Sequence, residues 1–522
     1  MPNDLKDSKP EVEGSWPELY ERRAKAKEMG GEERLKKLVA QSKFSVRERL
    51  DILLDPNSFH EIGIHAKSGL TELANRTPAD GLVLGSGEID GRTVFVAADD
   101  PSVLVGTRGL VAETKLARLR EMAIRDKRPF IMLSEAGAAR LQESSGAISA
   151  ALGDGFKQHT RMSGHIPQVS VIMGHSFGGP SFTAAMGDFT IKVSGTGFMG
   201  MSGPPLVKVG LNKDVTADQI GGDDMAMKTT GQADLIAADE REALLQVRRY
   251  LSYFPSSSSQ LPPQAEPRAA LCASDEGRSA LSAFVPVNQR RAYNMQGLLE
   301  LLVDEGSLFV TRPKYGPSML TAFARMDGQP VGIIANNPMQ MGGAIDEKGA
   351  QKARKMIELC DAFHIPLVFF CDTPGFMVGP DIEKHRMVSH CARLVNALVL
   401  ASVPKVTVVL RKAVGMAYIA MCGRACQPDA LVSWPGAFFD VMGPEAGVML
   451  IHGKEIEASE DPKALKAEFL EELAKAASAY KAAELGIIDD VIDPVETRET
   501  ILWGLTRADR AGTAGFKHRV DP

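Results

Sequence analysis

The chain repeats itself. Gly91, Val94, Pro129, Pro167, Val169, Val171 and Gly178 recur as Gly328, Val331, Pro366, Pro404, Val406, Val408 and Gly415, each 237 positions later. The surrounding segments match too. Arg-Pro-Phe-Ile-Met-Leu from 128 pairs with Ile-Pro-Leu-Val-Phe-Phe from 365, and Ile-Pro-Gln-Val-Ser-Val-Ile-Met from 166 with Val-Pro-Lys-Val-Thr-Val-Val-Leu from 403. A constant offset between such long segments marks an ancient duplication. The chain is therefore confined to two copies of one unit of about 200 residues. Its 522 residues are in any case too many for a single core.

The repeated unit is α/β. Short apolar runs at 81–85, 93–98, 130–133 and 169–173 read as strands, and 114–125 reads as a helix between two of them. Strands alternating with helices imply helices packed on sheets. A helical extension over 17–60 precedes the first unit, with a short helix from Val46 to Leu54 that stops at Asp55-Pro56. Pro255, four serines and Pro262-Pro263 read as a linker. The division expected is 1–265 and 266–522, with the second repeat proper starting near Met319.

Composition removes several function classes. The net charge of −6 and an aromatic content of 6% give no footprint for nucleic acid. No apolar run reaches the roughly 18 residues of a membrane span, and the N-terminus resembles no signal or transit peptide. The six cysteines form no CxxC pair and have no histidines at zinc spacing. The expectation is a cytoplasmic protein with reduced thiols, no metal and no membrane contact.

Two glycine-rich segments carry the chemistry. Gly174-His175-Ser176-Phe177-Gly178-Gly179-Pro180 and Arg411-Lys412-Ala413-Val414-Gly415-Met416-Ala417-Tyr418 each follow a buried strand and precede a helix. Such a turn points backbone N–H groups outward and can hold a developing oxyanion. The first also matches G-x-S-x-G, which would make Ser176 a hydrolase nucleophile. Against that, the second copy has Ala413 at the equivalent place, so the shared turn needs no hydroxyl. Gly85 to Gly91 is not G-x-G-x-x-G and reads as a hairpin turn. Ala226-Met227-Lys228 looks like a biotinylation hairpin, but its flanks lack a carrier domain, so Lys228 reads as a loop lysine.

With these segments in place, the chain from about 17 to about 500 resembles the carboxyltransferase β-subunits of propionyl-CoA and methylcrotonyl-CoA carboxylases. It resembles equally the catalytic subunits of biotin-dependent decarboxylases. The resemblance rests on Arg47-Glu48-Arg49-Leu50, Gly137-Ala138-Ala139-Arg140-Leu141-Gln142-Glu143, Asp361-Ala362-Phe363, Asp372-Thr373-Pro374-Gly375-Phe376, Trp434-Pro435 and Gly486 to Pro494. It implies two crotonase-like ββα-superhelix domains. The N-terminal domain would bind the acyl-CoA, through Gly137, Ala138 and Arg140. The C-terminal one would bind biotin, through Gly375, Phe376 and Gly415. The carboxyl group would pass from carboxybiotin to the acyl α-carbon through an enolate. The amides of Gly178 and Gly179 would serve the thioester, and those of Met416 and Ala417 the biotin. Biotin would arrive on a separate carboxylase and carrier subunit, and the assembly would be a homohexamer, a dimer of trimers.

Three departures from the family pattern bear on this. Pro180 stands where a family Ala would supply an N–H, and proline has none. Met416 replaces a glycine. Ile419 stands where propionyl-type enzymes carry Asp in the acyl pocket, so an apolar tail is expected there. Other readings are a decarboxylase subunit, a serine hydrolase and a non-catalytic scaffold. ATP dependence, labelling of Ser176, and oligomers without transfer activity would respectively tell them apart.

Overall fold

The structure is a computed structural model that describes residues 16–137, 139–507 and 512–522. Each half forms one sheet. In the first, His60–Glu61, Leu82–Ile89, Arg92–Asp99, Phe130–Ser134, Gln168–Ile172, Phe189–Val193 and Leu235–Ala237 lie side by side in that order. In the second the order is Phe309–Thr311, Met319–Met326, Gln329–Asn336, Leu367–Thr373, Lys405–Val414, Ala430–Ser433 and Asp490–Val491. Both sheets open antiparallel and continue parallel. Helices Leu110–Asp126 and Glu347–Ala362 make equivalent crossovers, as parallel neighbours require. This is the duplicated ββα superhelix. The strand pair Leu82–Ile89 and Arg92–Asp99 reappears as Met319–Met326 and Gln329–Asn336, shifted by 237 at every boundary.

The backbone repeats its special conformations as well. The first hairpin turns at Asp90 (φ 50°) and Gly91 (φ 71°), the second at Asp327 (φ 54°) and Gly328 (φ 75°). Two consecutive positive φ values fit the twist of a tight hairpin. The turn is only those two residues; Gly85 to Ile89 belong to the strand, not to the longer turn expected from their glycines. The helical extension is three helices, Pro17–Lys27, Glu32–Ala40 and Val46–Leu53. Gly31 (φ 87°) separates the first two, and Ser45 with Glu48 caps the third reciprocally.

One buried cluster spans both halves, beside others confined to each. Tyr250 stacks on Phe189 at 4.1 Å, and Phe254 meets Phe323 at 5.1 Å and Phe363 at 5.5 Å. These rings come from both repeats and from the segment that joins them. The Pro/Ser stretch is correspondingly no loose tether. Ser256, Ser257 and Ser258 are buried, and Ser258 accepts a hydrogen bond on its carbonyl from His364 while donating its N–H to His165. Composition registers the absence of regular structure there, but not its burial.

The C-terminal residues lie across the seam. Phe516 stacks on His165 at 3.9 Å. Lys517 and His518 pair with Asp361 at 3.0 and 2.9 Å, and Val520 donates its N–H to Ser163 at 3.0 Å. The hydrogen bond to Asp361 raises the His518 imidazole above its ordinary value. Burial pushes Asp361 up, but His518 and Lys517 outweigh it and hold the carboxyl well down. A raised histidine contributes stability that is complete below its unfolded pKa of about 6.5 and lost as pH rises through the folded value. Wild type is therefore expected to exceed His518→Gln by up to about 1 kcal/mol at pH 6, since the His518 side chain is 36% exposed and solvent screens the pair. That margin should shrink toward pH 9. Thermal melts of both proteins across this range check it; a margin independent of pH removes the charged pair from the account.

Candidate active site

Each half builds the same cradle from two loops. One loop follows the strand Phe130–Ser134 or Leu367–Thr373. The other enters the short helix Gly179–Ala185 or Gly415–Ala420. In the first half, Arg140 donates its N–H to the carbonyl of Arg108 at 2.8 Å. In the second, Met377 donates to Ile345 at 2.9 Å. These are the same two positions, 237 apart, and the bridges Arg108 to Ala139 and Ile345 to Phe376 repeat with them. Alternation along an extended chain turns the N–H of Ala139, like that of Phe376, to the opposite side from this ladder. At the helix starts, the N–H groups of Gly179 and Met416 have no intrahelical acceptor. A carbonyl oxygen gathering negative charge between two such amides is stabilised where the charge forms.

The turn ahead of each crossover helix supports the first loop. Leu104, Val105 and Gly106 have φ of 45°, 58° and 68°; Met341, Gly342 and Gly343 have 48°, 63° and 86°. A Cβ on Gly106 would stand 2.2 Å from the carbonyl of Glu135, and one on Gly343 would stand 2.3 Å from that of Asp372. Only glycine fits either contact. Val105, β-branched and left-handed, is strained. Its carbonyl accepts the Gly137 N–H at 3.2 Å.

Carboxylates fix both loops from below. Glu135 donates its N–H to Asp99 at 3.1 Å, and Asp372 donates its own to Asn336 at 3.0 Å. Asp99 also receives the fork of Arg108, at 2.8 Å twice. The Glu135 side chain binds Lys43 and, at 2.6 Å, Arg49. Burial pushes Glu135 up, but Arg49 and Lys43 hold it below the usual range. In the second half Asp372 accepts from Tyr293 at 3.0 Å and Arg411 at 2.9 Å.

The residues singled out in the sequence fall into place unequally. Gly179, Met416, Gly375, Phe376 and Gly415 lie at the cradles. The Gly178 N–H does not face a ligand: it donates to the Gly200 carbonyl at 2.9 Å. With Pro180 lacking an N–H, Gly179 carries that turn. Gly178 serves through its φ of 75°. Gly137 spends its N–H on Val105. Arg140 is 1% exposed and bound to Asp80, Glu143 and the Thr107 carbonyl, so it holds the loop from beneath. Ala138 lies outside the described residues. Ala417 is fully buried, whereas the Met416 side chain is 59% exposed and leaves the cradle open. Ile419 is half-buried against the C-terminal core.

Ser176 is fully buried and donates its hydroxyl to the Ser134 carbonyl at 3.1 Å, which rules out an exposed nucleophile. Lys228 pairs with Asp224 at 2.8 Å in a helical turn, not a hairpin. No disulfide forms among the described cysteines. Among the described residues, no helix is long and apolar enough to cross a membrane. The sequence reading missed the supports Asp99, Arg108, Glu135 and Gly106. The repeat offset contained the signal for two of them, because Gly343 and Asp372 occupy the matching positions.

A cavity of about 640 Å³ opens beside the first cradle, lined by Ala139 from one loop and Gly179 from the other. Leu110, Ala117, Leu152, Phe156 and Pro180 make much of its wall apolar. It has the size and lining of a small-molecule site.

Duplicated superhelix, paired cradles and adjoining cavity together suit an enzyme that stabilises an oxyanion. Residues 38–512 match the carboxyl transferase domain family, and the chain belongs to it. It is 37% identical over 498 residues to the methylmalonyl-CoA carboxyltransferase 12S subunit of Propionibacterium freudenreichii subsp. shermanii, across 95% of this chain and 94% of that one. To the carboxyltransferase subunit of propionyl-CoA carboxylase from Haloferax mediterranei it is 36% identical over 496 residues, across 94% and 95% of the two chains. The crystal structure of transcarboxylase 12S, a hexamer with methylmalonyl-CoA and methylmalonic acid bound, matches with a TM-score of 0.89 at 36% identity. That match covers 99% of this chain and 100% of the other. The protein is a carboxyltransferase of the acyl-CoA carboxylase type.

Proposed function

We propose that the enzyme moves a carboxyl group between biotin on a separate carrier protein and the α-carbon of an acyl-CoA, with the acyl-CoA in the first half and biotin in the second. The carrying observation is the pair of equivalent cradles, one of them opening onto the 640 Å³ cavity. The amides of Gly179 and Ala139 hold the thioester oxygen. When the α-proton leaves, negative charge gathers on that oxygen, and these donors strengthen their hold as it does. Carboxylated biotin supplies the carboxyl group when bound. The second cradle fits its neutral ureido ring: two amides, at Phe376 and Met416, stand beside an aromatic ring and an exposed thioether. Gly375 and Gly415 shape the loops, with φ of 135° and 59°, and Ala417 supports them from beneath.

A second cleft of about 670 Å³ is bordered by Leu104, just ahead of the strained turn. Arg22 and Lys25 on its wall are neutralised by Glu18 and Glu28. Arg34, Lys67 and Arg76 remain for the phosphates of coenzyme A. Helix Pro204–Leu211 has no buried residue, and Val209 is 85% exposed; Leu450 and Ile451 on helix Pro444–Ala458 are 74% exposed. Apolar faces of this kind support assembly into a homohexamer. A cytoplasmic enzyme that meets its biotin carboxylase and carrier subunits as soluble partners accords with this reading.

Carboxyl transfer from a carboxybiotinyl carrier to acyl-CoAs of two to sixteen carbons tests the proposal. The expected product is the α-carboxylated thioester, with one chain class preferred. An intact assembly that transfers to none of them would show a scaffold instead.

A further inference from the structure

The cavity beside Gly179 holds a buried cation that no described residue meets in an ion pair. Arg120, on the inner face of helix Leu110–Asp126, is 2% exposed and lines the cavity. It has no hydrogen bond and no carboxylate within ion-pair distance among the described residues, and its Nε is buried without a partner. Its position is tightly set. The guanidinium carbon lies 5.9 Å from the centre of the Phe130 ring. A Cβ on Gly155 would come within 2.8 Å of its Nη1. The other charged groups on the wall are accounted for. Arg108 is neutralised by the Asp99 fork, Glu113 lies 3.8 Å from Arg108, and Asp154 is exposed at a helix start. Burial brings Arg120 down to about 10, and the more distant charges of Glu113, on the same wall, and Asp99 offset it only in part. Burial first, and the Arg120 charge next, hold nearby His159 at about 3. A buried cation with no ion-pair partner among the described residues is costly, and this one lines the cavity.

We propose that this cavity receives the acyl chain and that Arg120 binds an anionic group at its far end, making thioesters of dicarboxylic acids the preferred acyl substrates. The inference rests on Gly179 holding the thioester. Ile419 does not line this cavity, so the apolar selection expected from Ile419 does not act on the group that Arg120 meets. A guanidinium recognises a carboxylate through two parallel hydrogen bonds. The phosphates of coenzyme A offer similar chemistry, and the two sources are separable.

Calorimetric titration of the assembled protein with glutaryl-CoA and pentanoyl-CoA, and with adipyl-CoA and hexanoyl-CoA, provides the test. In each pair the dicarboxylic thioester is expected to bind about tenfold more tightly, the usual worth of a charge-assisted hydrogen bond. Arg120→Met should erase the difference and leave the monoacids within about twofold. Arg120→Lys should keep part of it, and its unchanged melting temperature would show the fold intact. Equal binding within each wild-type pair would overturn the proposal. So would an Arg120→Met that weakens all four CoA esters alike but spares the pantetheine esters, because the phosphates would then be the partner. Failure of every thioester to bind would sink the underlying assignment of the site as well.

Discussion

Gly179→Pro is expected to lower carboxyl transfer by about 10²- to 10³-fold, the usual cost of one oxyanion donor. The Gly178 N–H is spent on Gly200, and Pro180 has none, so Gly179 supplies the donor on this side of the cradle. Proline is tolerated at the first position of a helix, which is where Gly179 stands. The substitution therefore keeps the helix start while it replaces the donor hydrogen with the ring Cδ, which also narrows the cradle. Gly179→Ala is the matching control. Its added Cβ meets nothing within 4 Å and its N–H survives, so it should transfer at close to the wild-type rate. Steady-state kinetics should show the loss in kcat, because the donor counts most once charge has formed. A Gly179→Pro enzyme within threefold of Gly179→Ala would show that this amide takes no part.

The duplication and the α/β layering were legible because both rest on local pattern: apolar strands, prolines entering them, glycines after them. The cradle was half legible. A glycine-rich turn before a helix announces outward amides, but not which amides the fold has already used. The loss of Gly178 to Gly200 is a contact between strands His175–Phe177 and Phe198–Gly200, and no local pattern encodes it. Arg140 misled for the opposite reason. A charged residue in a glycine-rich motif suggests ligand contact, yet its partners Asp80 and Glu143 bury it. Arg120 gave no sequence signal at all. It reads as the exposed face of a helix rich in arginine, and only three-dimensional burial shows it to be unpaired.

Arg49→Met is expected to cost about 3–5 kcal/mol of stability, as does removal of one member of other buried ion clusters. Arg49 is fully buried and donates to Glu240 through Nε at 2.9 Å and Nη2 at 2.6 Å, and to Glu135 at 2.6 Å. Methionine fills much of the space but leaves two buried carboxylates with Lys43 as their remaining cation. The deficit should depend on pH in a defined direction. In wild type the depressed Glu135 contributes stability above its unfolded value of about 4.3, lost as pH falls through the lower folded value. In the variant, Glu135 loses its main counter-charge, and burial favours its protonated form. Its stability is then lost as pH rises. The gap between the two proteins should be widest near pH 7 and narrow toward pH 4.5. Urea denaturation of both at one protein concentration measures it; a gap below about 1 kcal/mol at pH 7 would show the cluster to be energetically neutral. Glu135 lies four residues before Ala139, so the surviving folded enzyme should also lose kcat through a displaced cradle, with Arg49→Lys restoring part of both.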